Sequence, residues 1–262
     1  MNAATARKEA TSIRLMARQI RAVRKGTLRF VLMPVTVPPA PTSSAVHPPK
    51  HPAPYLDAYC NGRASELNPR RMSRHWCWWT VDDRQCLPVF PVLAAPGDLV
   101  WVKETWGLVW PEENPVPADE CRLEFRADLP PGCTDYPGQW PADEAREMGE
   151  GPRWRSSSSM GRPYSRLTLQ VLAVQVLRLA DITEEMAQGM GFPEHRGGWV
   201  SDLPWTGPVL PSAHAALRWS MPGATADSWM CAMSVRVIPH NIDALMDADL
   251  ATTAPAAAEP VA

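Results

Sequence analysis

A chain of 262 residues, 45% hydrophobic and 21% charged, can bury one sizeable core, and with no run of about 18 apolar residues it is no helical membrane protein. Its net charge of −2 excludes a protein that wraps nucleic acid over its whole surface. The charge is uneven, however: residues 1–80 carry 13 Lys or Arg against 3 Asp or Glu, and residues 81–262 carry 13 against 25.

The basic first third predicts one phosphate-binding face. The alternative is that its basic helix docks on the chain's own acidic insertion around Pro111 to Gly151. Residues 1–11 read as a flexible N-terminus. They are basic and lack the apolar core of a signal peptide, which predicts a soluble, cytoplasmic protein.

An amphipathic helix is expected from Ser12 to Lys25, with Ile13, Met16, Ile20 and Val23 on one side and Arg14, Arg18, Arg21 and Lys25 as a second stripe. Gly26 then suits a left-handed helix end, where Lys25 meets the negative end of the helix dipole. Strands are expected at Leu28 to Val37, Leu99 to Trp106, Leu123 to Ala127, Leu167 to Leu179 and Trp229 to Ile238. The fourth is long and its apolar phase blurs between Val171 and Val176, as at a bulge or the corner of a closed barrel. Asp181 and Glu184 read as a capping box for a short helix ending at Gly189 or Gly191, and a further helix is expected from Ser212 to Trp219.

These elements predict a single α+β domain over 12–240, interrupted by a Pro-, Trp- and Cys-rich insertion at 38–95 and an acidic one at 107–153. Seven prolines between 38 and 54 predict poor order there, and 241–262 reads as a flexible, Ala-rich tail. Six cysteines in a chain of this length predict free thiols. Cys60, His75, Cys77 and Cys86 carry zinc-ligand chemistry without zinc-site spacing, so no metal and no cofactor is expected. The Trp76 to Trp79 cluster near Arg70, Arg71 and Arg74 reads as core or as a stacking platform for single-stranded nucleic acid, and Ser156 to Ser159 as a flexible loop.

Two groups of residues read as a ligand site. Lys25 and Arg29 can project into a cleft between helix and barrel and bind phosphate or a base edge, as an alternative to a dipole role for Lys25. Strand alternation puts Glu104 and Trp106 on one side, where a carboxylate and an aromatic face suit a nucleobase; the alternative pairs Glu104 with an arginine and puts Trp106 in the core.

Four ordered blocks carry a resemblance. Met16 to Phe30 lies without a gap against M-V-R-A-I-L-A-G-R-K-T-Q-T-R-R; Gly97 to Trp106 matches G-D-R-L-W-V-R-E-T-W, followed by Phe125-Arg126-Ala127-Asp128 for Y-R-A-D; Trp154 to Leu169 follows W-R-P-S-I-H-M-P-R-W-A-S-R-I-T-L; and Asp181 to Glu185 follows D-I-S-E-E. The closing N-P-W-V-W-V strand is faintly present at Asp227 to Ala232. Across residues 13–238 the chain resembles a phage and prophage branch of the ASCH superfamily.

That resemblance implies a PUA-like mixed β-barrel flanked by short helices, acting in the cytoplasm of a bacterial host. It implies a protein that binds RNA, a nucleotide or a modified nucleobase through Lys25, Arg29, Glu104, Trp106, Ser165 and Arg166, with a host or phage protein as a further possible partner. It also offers a nucleic-acid-directed hydrolase, a modified-base amidohydrolase or a ribonuclease with Lys25 as its cation, and, beside both, a non-enzymatic protein-interaction factor. Against amidohydrolysis, the family's Thr and Glu positions fall on Leu28 and Met190, neither of which handles a proton. Thr27, or Glu185 or Glu194, could replace them only with a shifted loop or a re-aimed helix.

Overall fold

A computed structural model describes residues 10–40, 54–79, 86–109, 121–133, 135–139, 153–203 and 207–253. Its centre is a five-stranded sheet in the order β1 (Thr11–Arg14), β6 (Leu99–Lys103), β9 (Thr168–Arg178), β12 (Trp229–Ile238) and β2 (Phe30–Pro34). β1 runs parallel to β6, and every other pairing is antiparallel. β12 shows why the sheet is central, for its side chains alternate between two cores. Cys231, Met233 and Val235 face one apolar cluster, whereas Met230 and Ala232 face another built on two helices, α2 (Glu184–Gln188) and α3 (Ala213–Trp219).

The helix expected from Ser12 begins later. Ser12 to Arg14 belong to edge strand β1, and α1 occupies Ala17–Arg24. Pairing with β6 at Ile13↔Val102 and Arg14↔Lys103 outweighs the helical periodicity of this segment. Gly26 adopts φ 69°, ending the helix as expected. The chain then enters β2 at the far edge, so α1 connects the two edges of the sheet. Among the described residues no ladder joins β1 to β2, and the expected closed barrel is replaced by an open sheet whose gap is crossed by α1.

The irregularity foreseen in β9 is a bulge. Ser234 faces Ala173 while Val235 faces Val171, leaving Leu172 as the extra residue. The strand expected from Leu99 to Trp106 breaks at Glu104 and Thr105 and resumes as β7 (Trp106–Val109), paired with β8 (Arg122–Phe125). The insertion after β2 contains an antiparallel sheet, β3 (Tyr55–Ala58), β4 (His75–Trp79) and β5 (Cys86–Pro91), which buries Trp76 and Trp78. Trp78 donates to the Pro38 carbonyl at 2.8 Å, while residues 41–53, expected to be poorly ordered, lie outside the described residues. Two strands of two residues, β10 (Glu194–His195) and β11 (Gly198–Trp199), form a small hairpin after α2.

Thr183, rather than Asp181, caps α2, accepting from the Met186 N–H at 3.2 Å. Glu184 instead accepts from the N–H groups of Ala213 and His214 at 2.7 and 2.9 Å, holding the start of α3 against α2. Burial acts to raise the Glu184 carboxyl, but those N–H donors outweigh it and hold it below the usual range. The tail expected to be flexible from 241 opens instead with α4 (Ile242–Thr253), because Ile242 is fully buried. Among the described residues no helix is long and apolar enough to cross a membrane.

Candidate functional site

The break after β6 turns Glu104 inward, where its side chain is 1% exposed. Arg166 meets it with two donors, Nε at 3.1 Å and Nη2 at 2.9 Å, and turns its outer edge to Asp128 at 2.6 and 2.8 Å. The guanidinium lies 3.8 Å over the Phe125 ring, and Arg24 of α1 reaches Asp128 at 3.4 Å. Burial raises the Glu104 carboxyl above its ordinary value despite the Arg166 hydrogen bonds. Burial alone would lower the Arg166 guanidinium, but the two carboxylates raise it.

Glu104 and Arg166 therefore come together in an ion network that also takes in Asp128 and Arg24. Trp106 is buried and stacks on Tyr164 at 5.1 Å, and the break at Glu104 and Thr105 removes the strand alternation that would align it with Glu104. The Ser165 hydroxyl donates between the carbonyls of Val102 and Leu167 at 2.9 and 3.0 Å, a structural task. Lys25 and Arg29 are exposed at the C-terminal end of α1 and after it. Arg24, on Asp128, realises part of the self-docking expected of the basic helix.

The cleft lies at the other end of α1. A cavity of about 530 Å³ is lined by Ser12 to Arg14 of one sheet edge, Val31 to Pro34 of the other, the first turn of α1, Lys103, Met190 and the end of α3. Both edge strands bound it, so it is the gap that keeps the sheet from closing. Among the described residues its charged lining residues are Arg14, Arg18 and Lys103, with no Asp, Glu or His. Arg14 and Lys103 are register partners across the parallel ladder, placing two like charges side by side.

Arg18 is the unusual member. It is 7% exposed, its Nε lacks a partner, and Phe192 covers its guanidinium at 4.3 Å. Burial lowers its pKa to about 10, which leaves it charged at neutral pH, and the attraction of Asp202 does not offset this. Asp202 is itself hydrogen-bonded by Arg21. Sequence reasoning placed Arg14 and Arg18 in a basic stripe but did not single them out. Lys103 carried no signal, because its role depends on the pairing of β1 with β6.

Leu28 is core, and Met190 is a buried wall of the cleft. Gly191, at φ 81°, lets the loop after α2 pass so close to α1 that an added Cβ would lie 2.6 Å from the Ala22 Cβ. Thr27 donates to the Ala22 carbonyl at 3.3 Å, and Glu185 is exposed. The weak zinc set does not converge: Cys60 is an exposed thiol, and among the described residues no group of His, Cys, Asp or Glu is placed to hold a metal ion. Cys77, expected to be a free thiol, is disulfide-bonded inside β4, where strand pairing buries it completely. Cys60, Cys133 and Cys231 are thiols outside any disulfide, and burial raises the Cys231 thiol to about 11.

Compared with protein-family models, characterised proteins and solved structures, the chain matches none.

Proposed function

We propose that the chain is an ASCH-type, PUA-like domain of phage or prophage origin, acting in the cytoplasm, that binds RNA, a nucleotide or a modified nucleobase in the cleft between α1 and the open sheet. The observation that carries this reading is the cleft itself: about 530 Å³, bounded by both sheet edges, apolar in its walls and lined, among the described residues, by three cations and no carboxylate. Methionines 33, 190 and 221 supply polarisable surface suited to a planar base. Arg14, Arg18 and Lys103 supply charge suited to a phosphate.

Binding is favoured over hydrolysis because, among the described residues, the lining holds serines but no carboxylate or imidazole to activate them, and because Met190 and Leu28 stand where the hydrolases that the chain resembles handle protons. Lys25 and Arg29, one helix length of about 12 Å from the first turn, extend the basic surface for a longer RNA.

The test is a binding screen of nucleosides, nucleotides and short RNAs against the wild type and against Arg14→Glu/Lys103→Glu. Charge reversal is expected to abolish binding, whereas Lys25→Ala/Arg29→Ala is expected to lower only RNA affinity and its salt slope, by about one unit per lost phosphate contact. Nucleotide binding that survives the charge reversal would place the ligand elsewhere.

A further inference from the structure

Resting on the reading of the cleft as a nucleotide site, we infer that Arg18 is its anion anchor and that the group it takes is a phosphate monoester. A ligand must therefore carry a terminal phosphate; an uncharged nucleoside lacks the group the cleft is built to hold.

An arginine buried this deeply normally faces carboxylates, because an unpartnered N–H out of water is costly. Arg166, though only half-buried, already has two. Arg18 does not: its Nη1 contacts only the thioether of Met16 at 2.7 Å, a weak acceptor, and its Nε contacts none. Asp202, the carboxylate that acts on it electrostatically, is engaged by Arg21. The acceptor that Arg18 lacks has to enter from the cavity it lines.

The charge of that acceptor follows from the neighbours. Arg14 and Lys103 are register partners in the β1–β6 ladder and both line the cavity, with the Lys103 ammonium 5.0 Å from the Trp101 ring centroid, so an anion in the cavity offsets two like charges. The first turn of α1 also borders the cavity and contains no acidic residue, so the positive end of its dipole is uncompensated. A carboxylate would bring one negative charge to this set. A phosphate monoester brings about −1.5 to −2 at neutral pH and three acceptor oxygens, enough to meet Arg18 and the Arg14–Lys103 pair at once. A bridging phosphodiester carries a single charge and is the poorer match.

The experiment is calorimetric titration of the full chain with the four nucleoside 5′-monophosphates, the four nucleosides, inorganic phosphate, and one oligoribonucleotide with and without a 5′-phosphate. Monophosphates are expected to bind at least about tenfold more tightly than their nucleosides, since a charge-assisted contact in a dry site is lost with the phosphate. Arg18→Met is expected to remove that difference while retaining its folded circular-dichroism spectrum, and Arg18→Lys to keep part of it. Monophosphate affinity should fall as pH drops below about 6, where the phosphate takes up a proton.

If only the 5′-phosphorylated oligonucleotide binds, the anchor stands and its source is an RNA end. If inorganic phosphate binds in an Arg18-dependent way, the anchor stands without a base requirement. If nucleosides bind as tightly as monophosphates, or Arg18→Met keeps the difference, the anchor is wrong while the cleft reading survives. If no nucleoside, nucleotide or RNA binds, both fall.

Discussion

Two arginines of this molecule, half-buried Arg166 and buried Arg18, have opposite surroundings. Arg166 lies between Glu104 and Asp128 with four hydrogen bonds and an aromatic ring beneath it. Arg18 lies on a ring as well, yet has a donor without a partner and a cavity before it. A saturated charge holds a structure together, because every group that left water has found a replacement. An unsaturated one is a cost to the fold that a ligand can offset. Glu104 and Arg166, expected to bind a ligand, hold each other in an ion network, whereas Arg18 of the expected basic stripe faces a cavity.

The comparison breaks most readily at Arg166. Arg166→Ala leaves the Glu104 carboxylate buried and unpaired and is expected to cost about 3–5 kcal/mol in urea unfolding, with much of the loss recovered in Glu104→Leu/Arg166→Met. A cost below about 1 kcal/mol would show that the network is no more than a surface pair. Next in size is Gly191→Ala, which combines a left-handed backbone with a Cβ driven against Ala22. A loss of about 2 kcal/mol is expected, together with a displaced Met190 wall and weakened ligand binding.

Arg18→Met should act in the other direction. Removing an unsatisfied buried guanidinium is expected to leave stability unchanged or raise it by about 1 kcal/mol in the absence of ligand, measured by thermal unfolding. A large destabilisation would mean that Arg18 is as structural as Arg166. The smallest effect is in pH. Because Glu104 has a folded pKa raised above its ordinary 4.5, its protonated form favours the native state. That contribution is present below pH 4.5 and lost as pH rises through the raised value. As pH rises across that window wild-type stability should therefore fall relative to Glu104→Gln, and a rise relative to that variant would reverse the assigned direction.

The elements that depend on local order were legible in the sequence. The strand Trp229–Ile238, the helix starting after Ser212, the left-handed Gly26 and the irregularity inside β9 follow from alternation, capping residues and phase, all of which act over a few residues. So does the encounter of Glu104 with Arg166, through the order of the blocks that contain them. What periodicity misjudged was Ser12 to Arg14, whose helical pattern yields to a ladder with residues nearly ninety positions away.

The cleft belongs to that second category. Whether a sheet closes is settled by the distance between its two edges, and α1 holds β1 and β2 apart by connecting them. Only that separation brings Arg14, Arg18 and Lys103 around one cavity and leaves the Arg18 donor without an acceptor. A sequence specifies which residues carry charge. Whether a charge is satisfied depends on what the rest of the chain places within 3 Å of it, and that is a property of the folded molecule.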